Sequence, residues 1–214
     1  MITEPILTGY IEENCFLAGD RDELLVIDPG DDADVILSRI TAGGYNVRSI
    51  VLTHCHYDHI GAVSALKKAT GASIIVCKKE AENYQNPAVN LLGLFGKKAE
   101  NPPAADMTVS DGDTISSGKY RFQVIETPGH TAGSMCLFCE DKLFSGDTLF
   151  AGGMGRVDLP TGSMKEIISS IKNKLFTLPE ETMVYPGHGP TTTIGYEKKH
   201  NEVYEWERYA NEYN

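Results

Sequence analysis

The chain has 214 residues, 41% of them apolar, and a formal net charge of -11 at pH 7. That composition fits a globular domain spanning residues 1–214 and excludes a disordered chain, and the acidic balance gives no footing to nucleic acid or anionic lipid, so neither is an expected partner. No apolar run approaches the roughly 20 residues of a membrane span, Met1-Ile2-Thr3-Glu4-Pro5 lacks the features of a secretory leader, and five irregularly spaced cysteines form no disulfide framework, so a cytoplasmic setting is expected.

In chain order, residues 6–18 and 24–28 read as strands separated by the turn Gly19-Asp20-Arg21-Asp22. Residues 33–42 carry Val35, Ile36, Arg39 and Ile40 at helical spacing, and Gly43-Gly44 stops the helix. Ser49 to Thr53 is a buried-strand candidate. Residues 61–69 place Ala62, Leu66 and Ala69 on one helical face, and Ser73 to Cys77 is another strand. Residues 85–106 hold no period and read as a long loop, with Lys97 and Lys98 as candidate lid charges or plain solvated ones. Strands are expected at 107–109, 120–126, 135–139 and 142–145. The Cys136-x-x-Cys139 pair has no second cysteine pair and reads as strand residues. Ser163 to Glu166 is a capping box that opens a helix with Ile167, Ile171 and Leu175 aligned. A last strand at 182–185 precedes a mostly polar helix over 196–210. Strands and helices interleave without a βαβ rhythm, which favours two sheets packed face to face with helices outside.

The chemistry concentrates in Thr53-His54-Cys55-His56-Tyr57-Asp58-His59-Ile60-Gly61. Three histidines and an aspartate just after a buried strand are costly unless paired or metal-bound, and imidazole and carboxylate are ligands shared by zinc, iron and manganese. His54 and His56, two apart in extended chain, point to the same side. One tetrahedral site does not easily take all four from so short a loop; two metal ions do. His130 follows the strand at 120–126, Asp147 the strand ending near Phe144, and His188 the strand at 182–185, each flanked by glycine or proline. That pattern gathers loop tips at one edge of a sheet sandwich. The sixth histidine, His200, lies in a charged helical stretch and reads as surface.

His54-x-His56-x-Asp58-His59, Gly129-His130-Thr131, Gly146-Asp147 and Gly187-His188-Gly189, in this order, resemble the signature of the metallo-β-lactamase superfamily. Glu13-Asn14-Cys15-Phe16, Asp28-Pro29-Gly30, the segment from Thr127 to Ser134, the segment from Ser145 to Phe150 and Gly155-Arg156-Val157-Asp158-Leu159-Pro160 narrow the resemblance to small bacterial glyoxalase II-like hydrolases. It covers roughly residues 6–195 and implies an αββα sandwich of two mixed sheets. It also implies that His54, His56 and His130 hold a first metal, that Asp58, His59 and His188 hold a second, and that Asp147 bridges them. The expected cofactors are two divalent ions, zinc first and iron or manganese as substitutes. Many true β-lactamases have a cysteine at the bridging position, which sets antibiotic hydrolysis lower.

The activity implied is hydrolysis of a thioester, S-lactoylglutathione or a relative, by a hydroxide bridging two ions roughly 3.5–4 Å apart. Asp58 and Asp147 orient that nucleophile, and a thiolate leaves with little help from an acid. Longer glyoxalase II enzymes carry a C-terminal helical extension with glutathione contacts; here about 20 residues follow the last ligand loop, which leaves room for another thiol. Arg156 is the candidate substrate-anion contact, with an Arg156–Asp158 brace of the loop as the equal alternative. Tyr57 and Tyr196 are candidate cleft residues. Two rivals stand beside this reading: a mononuclear iron persulfide dioxygenase using the counterparts of His54, His130 and Asp147, and a non-enzymatic binding module, which a missing ligand would favour.

Overall fold

The computed structural model describes residues 1–95 and 101–212, so Lys97 and Lys98 lie outside the described residues. Among the described residues, twelve strands form two six-stranded sheets. The first runs, in spatial order, β1 (Ile2–Thr8), β2 (Glu13–Gly19), β3 (Leu24–Ile27), β4 (Val47–Leu52), β5 (Ser73–Cys77) and β6 (Met107–Val109). The second runs from β7 (Thr114–Ser117) through β8 (Tyr120–Glu126), β9 (Met135–Cys139), β10 (Lys142–Gly146) and β11 (Met183–Pro186) to β12 (Thr192–Thr193). Both sheets are mixed: β3 to β6 pair in parallel behind an antiparallel β1–β2–β3 unit, and the second sheet is antiparallel except for β10–β11.

The alternation of side chains along the strands builds three apolar layers. Phe16, Leu25, Ile27, Val51 and Ile75 of the first sheet meet Phe122, Val124, Leu137 and Phe144 of the second between the sheets. Their neighbours Leu17, Leu24, Val26, Ile50 and Ile74 face outward onto α1 (Ala33–Gly43), through Ile36 and Ile40, and onto α3 (Val63–Thr70), through Val63 and Leu66. On the opposite side, Cys136, Leu143 and Val184 pack under α6 (Met164–Asn173), α7 (Ile194–His200) and α8 (Val203–Glu212), through Ile167, Ile171, Ile194 and Val203. Cys136 and Cys139 therefore lie on opposite faces of β9 and all five cysteines are free and buried. The expected αββα sandwich is what forms. No helix among the described residues is long and apolar enough to cross a membrane.

Several boundaries differ from the sequence reading. The single strand expected over 6–18 is two strands joined by Gly9 to Glu12, where Gly9 and Glu12 have φ of 66° and 55°. The long polar helix expected over 196–210 is broken at Asn201, which adopts extended backbone. Its side chain accepts from Val203 N–H and donates to Glu197 and to the Gly153 carbonyl. Ser163 caps α6 as expected, but that helix ends at Asn173, and Leu175 reaches the core from a 3₁₀ turn. The aperiodic loop contains α5 (Leu92–Phe95) and follows α4 (Ala81–Tyr84). Buried Asn90 anchors it by donating to the Tyr84 carbonyl and accepting from Leu92 N–H. The short strands β7 and β12 went unread, each too short to show a period.

Candidate metal centre

Every predicted ligand follows the C-terminal end of a strand. Beyond β4, Thr53 to His56 run extended into α2 (Tyr57–Ile60), which carries Asp58 and His59. His130 follows β8, Asp147 follows β10, and His188 follows β11. Backbone bonds draw these ends together: Met135 N–H donates to the Thr53 carbonyl across the two sheets, and Gly187 N–H donates to the Gly146 carbonyl. Helix α6 braces the His130 loop through the N–H of its cap Ser163 to the Gly129 carbonyl and through the Ser170 hydroxyl to the Pro128 carbonyl. Close approach demands glycine at several places, two of them directly beside candidate ligands. A Cβ on Gly30 would sit 1.8 Å from the Asp58 carbonyl oxygen, and one on Gly187 would sit 2.3 Å from an Asp147 carboxylate oxygen.

The side chains converge as two groups. His54, His56 and His130 form one and Asp58, His59 and His188 the other, each with one potential ligand atom per residue mutually within 4.8 Å. Asp147 touches both: its carboxylate lies 3.3 Å from His59 Nε2, 3.6 Å from His130 Nε2 and 3.8 Å from His188 Nε2. Within the groups, His56 Nδ1 is 2.8 Å from His130 Nε2, and His188 Nε2 is 3.1 Å from Asp58 Oδ2.

The donor set fits divalent cations on an observation independent of any motif. His54 Nε2, His56 Nε2, His59 Nε2 and Asp147 Oδ1 are buried and lack a hydrogen-bond partner within the protein. Unpaired buried polar atoms are costly, and those of His54, His59 and Asp147 lie among the clustered candidate ligands, where a bound cation would supply the missing partner. The opposite ring nitrogens are held from behind: His54 Nδ1 is 3.1 Å from the Thr53 hydroxyl, His130 Nδ1 is 2.8 Å from the Arg156 carbonyl oxygen, and His59 Nδ1 is 3.1 Å from Asp28 Oδ2. That second contact fixes ring orientation and tautomer, as it does for metal-bound histidines.

Electrostatics separates the groups. Burial, then mutual repulsion among the imidazoles, pushes His54 well below its ordinary pKa, and burial with His130 beside it pulls His56 down to about 3. Burial alone would lower His59 too, but Asp147 and Asp58 outweigh it and raise that histidine well above the usual value. His188 is raised in the same sense by its bond to Asp58 and by Asp147. Burial would raise the Asp147 carboxyl, yet the surrounding histidines, His59 first, hold it far below the carboxylate range. Burial thus favours neutral imidazoles at His54 and His56, with lone pairs to offer, and the second group is balanced by ion pairs.

Sequence reading placed Asp28 at a strand end, in a segment shared with the resembling family, and gave it no role. In the structure it can join His54 and His59 as a potential ligand, but both its oxygens are already engaged. Oδ1 accepts from Thr53 N–H at 2.7 Å, and Oδ2 accepts from the Thr53 hydroxyl at 2.6 Å and faces His59. Asp28 therefore positions His59 and Thr53. Buried Glu13, also missed, accepts from the Thr8 hydroxyl and backs His59. The signal for both was an acid at a strand end inside a motif-like segment.

Arg156 forms a bidentate pair with Asp158, both bonds at 2.7 Å, on an exposed loop. It borders a groove lined by Met154, Val157, Met164, Glu202 and Trp206. The Tyr57 hydroxyl lies 3.1 Å from that of Tyr10, whereas Tyr196 is exposed on α7 and packs on His200, which is itself exposed and remote from the ligand groups.

Residues 9–188 match the profile of the family described as "Metallo-beta-lactamase superfamily". The chain is 34% identical to "Probable metallo-hydrolase YqgX" of Bacillus subtilis, over 90% of this chain and 92% of that one. It is 33% identical to "Hydroxyacylglutathione hydrolase GloC" of Haemophilus influenzae, over 94% and 97%. Among solved structures it superposes on BLEG-1 B3 metallo-beta-lactamase with a TM-score of 0.88 and 36% identity, covering 94% of this chain and 98% of that one. It matches TTHA1623 in a di-iron-bound form with a TM-score of 0.84 and 34% identity, over 92% and 98%.

Proposed function

The chain belongs to the metallo-beta-lactamase superfamily, and from that premise we propose that it is a dinuclear metal-dependent hydrolase of thioesters of the S-lactoylglutathione kind. Asp147, a carboxylate in reach of both ligand groups, is the observation that carries the reading. The seven ligands are His54, His56 and His130 for one ion, Asp58, His59 and His188 for the other, and Asp147 between them. Zinc is the first choice and iron the second, since a similar structure is a di-iron form.

Bound divalent cations supply a hydroxide at neutral pH and stabilise negative charge developing on a carbonyl oxygen. The protein's own part is to hold the donors in the form that chemistry needs. Burial keeps His54 and His56 neutral, and Asp147 stays ionised among its histidines. Asp58 and Asp147 would orient the attacking water as well as hold the cations. No separate general acid stands among the described residues of the site, which suits a thiolate leaving group over an amine. The acyl-glutathione assignment is favoured by the relative named hydroxyacylglutathione hydrolase, which matches over nearly its full length and so needs no long extension beyond this chain's own.

A second reading, β-lactam hydrolysis, is favoured by the similarity to BLEG-1. One panel separates the possibilities: metallated protein with S-lactoylglutathione, simpler acyl thioesters, a chromogenic β-lactam, and glutathione persulfide with oxygen uptake recorded. Thioester turnover exceeding the other activities is the expected result. Oxygen uptake with one iron per chain would replace the reading with the dioxygenase, and turnover confined to the β-lactam would replace it with the lactamase.

A further inference from the structure

His59 and His188 reach the same group from different halves of the chain, one after β4 and one after β11, and a single dipeptide at the start of β2 touches both. Asn14 is 7% exposed. Its side-chain nitrogen donates to the Pro186 carbonyl and to the Gly189 carbonyl, both at 2.9 Å. Its backbone N–H donates to the Gly187 carbonyl at 2.7 Å, and Glu13 forms an isolated bridge with His188 itself. Three carbonyls flanking His188 thus end on one residue of the other sheet. On the opposite side of the dipeptide, the Glu13 carboxylate is fully buried, fixed by the Thr8 hydroxyl at 2.6 Å, and lies 3.7 Å from His59 Nδ1.

We infer that Glu13-Asn14 is a clamp that positions His59 and His188 together, so that the affinity of the second metal ion is set from a strand supplying none of its ligands. The inference rests on the dinuclear reading. The chemistry at position 14 is specific to an amide: two N–H donors on one nitrogen meet two carbonyl oxygens. An aspartate has the same shape and no donor, and would turn a charged oxygen toward both carbonyls. Nothing in this arrangement touches His54, His56 or His130, so the first ion should not sense it.

The test is stepwise metal titration of the metal-free protein by chelator competition, for wild type, Asn14→Asp and Asn14→Ser, with zinc and then cobalt(II) as the probe. Wild type should bind two ions in separable steps. Asn14→Asp should leave the first constant unchanged and weaken the second by about 10–100-fold, the range for loss of an outer partner of a metal ligand. Asn14→Ser, which keeps one donor, should fall between and preserves a test where the aspartate variant does not fold. The cobalt absorption of the second step should change in the same order, a response that general destabilisation does not produce. Two ions with both constants unchanged in the folded variants, or both lowered alike, overturn the clamp and leave the dinuclear reading standing. A wild-type protein that takes up a single ion overturns both.

Discussion

His54, His56 and His130 have one carboxylate in reach, Asp147, whereas Asp58, His59 and His188 have two, Asp58 itself and Asp147. In the first group, burial and crowding push the pKa values of His54 and His56 down and leave the Nε2 atoms of both without partners. In the second, the same burial is overcome by acids that raise the pKa values of His59 and His188. A cation entering the first group meets lone pairs; one entering the second must displace ion pairs. Two sites built from the same residue types around one carboxylate therefore differ in what they require of a ligand, and the difference comes from where the acids sit.

Asp147 is where the comparison breaks most completely, because it serves both groups. Asp147→Asn should lower turnover by more than about 100-fold, beyond the usual cost of losing an outer partner, with an unchanged circular dichroism spectrum. Wild-type turnover in a fully metallated variant would show that the carboxylate is not shared. Asp28 stands behind both groups, at His59 directly and at His54 through Thr53. Asp28→Asn should weaken metal binding by about 10–100-fold, read by chelator competition, and an effect confined to one ion would show which group depends on it.

Arg156 sharpens the comparison from outside the ligand set. Its carbonyl orients His130, and its guanidinium is occupied by Asp158. Arg156→Ala removes only the side chain. If that side chain contacts the substrate anion, KM should rise with little change in kcat, and less for thioesters lacking a carboxylate. Equal loss across the panel, accompanied by a lower Tm, would assign it to bracing the loop. The smallest effect is expected at His200, exposed on α7: His200→Ala should keep full metal content and shift stability by no more than about 0.5 kcal/mol.

The layered architecture was legible because β2, β3, β4, β5 and β9 carry apolar residues on both faces, as strands buried between a sheet and helices must. The candidate ligands drew attention because polar residues after such strands need partners, and their division between two ions was implied by the family resemblance alone. What was hidden depends on contacts distant in sequence. The turn at Gly9 to Glu12 and the break at Asn201 are fixed by local backbone and side-chain bonds inside stretches whose composition suited a continuous element. Glu13 and Asp28 acquire their roles only when β2, β3 and β4 are assembled in one sheet, which brings them to His59 across many residues of sequence. No spacing rule reports that. The same applies to Arg156, whose backbone rather than side chain meets the site.

The most direct test of the account is the metal content of the protein loaded to saturation and freed of weakly held ions, measured by elemental analysis against protein concentration. Seven converging ligands with a carboxylate between two groups predict two transition-metal ions per chain. A plateau at one ion, unchanged at higher metal concentration, would contradict the shared role of Asp147 and with it the dinuclear hydrolase.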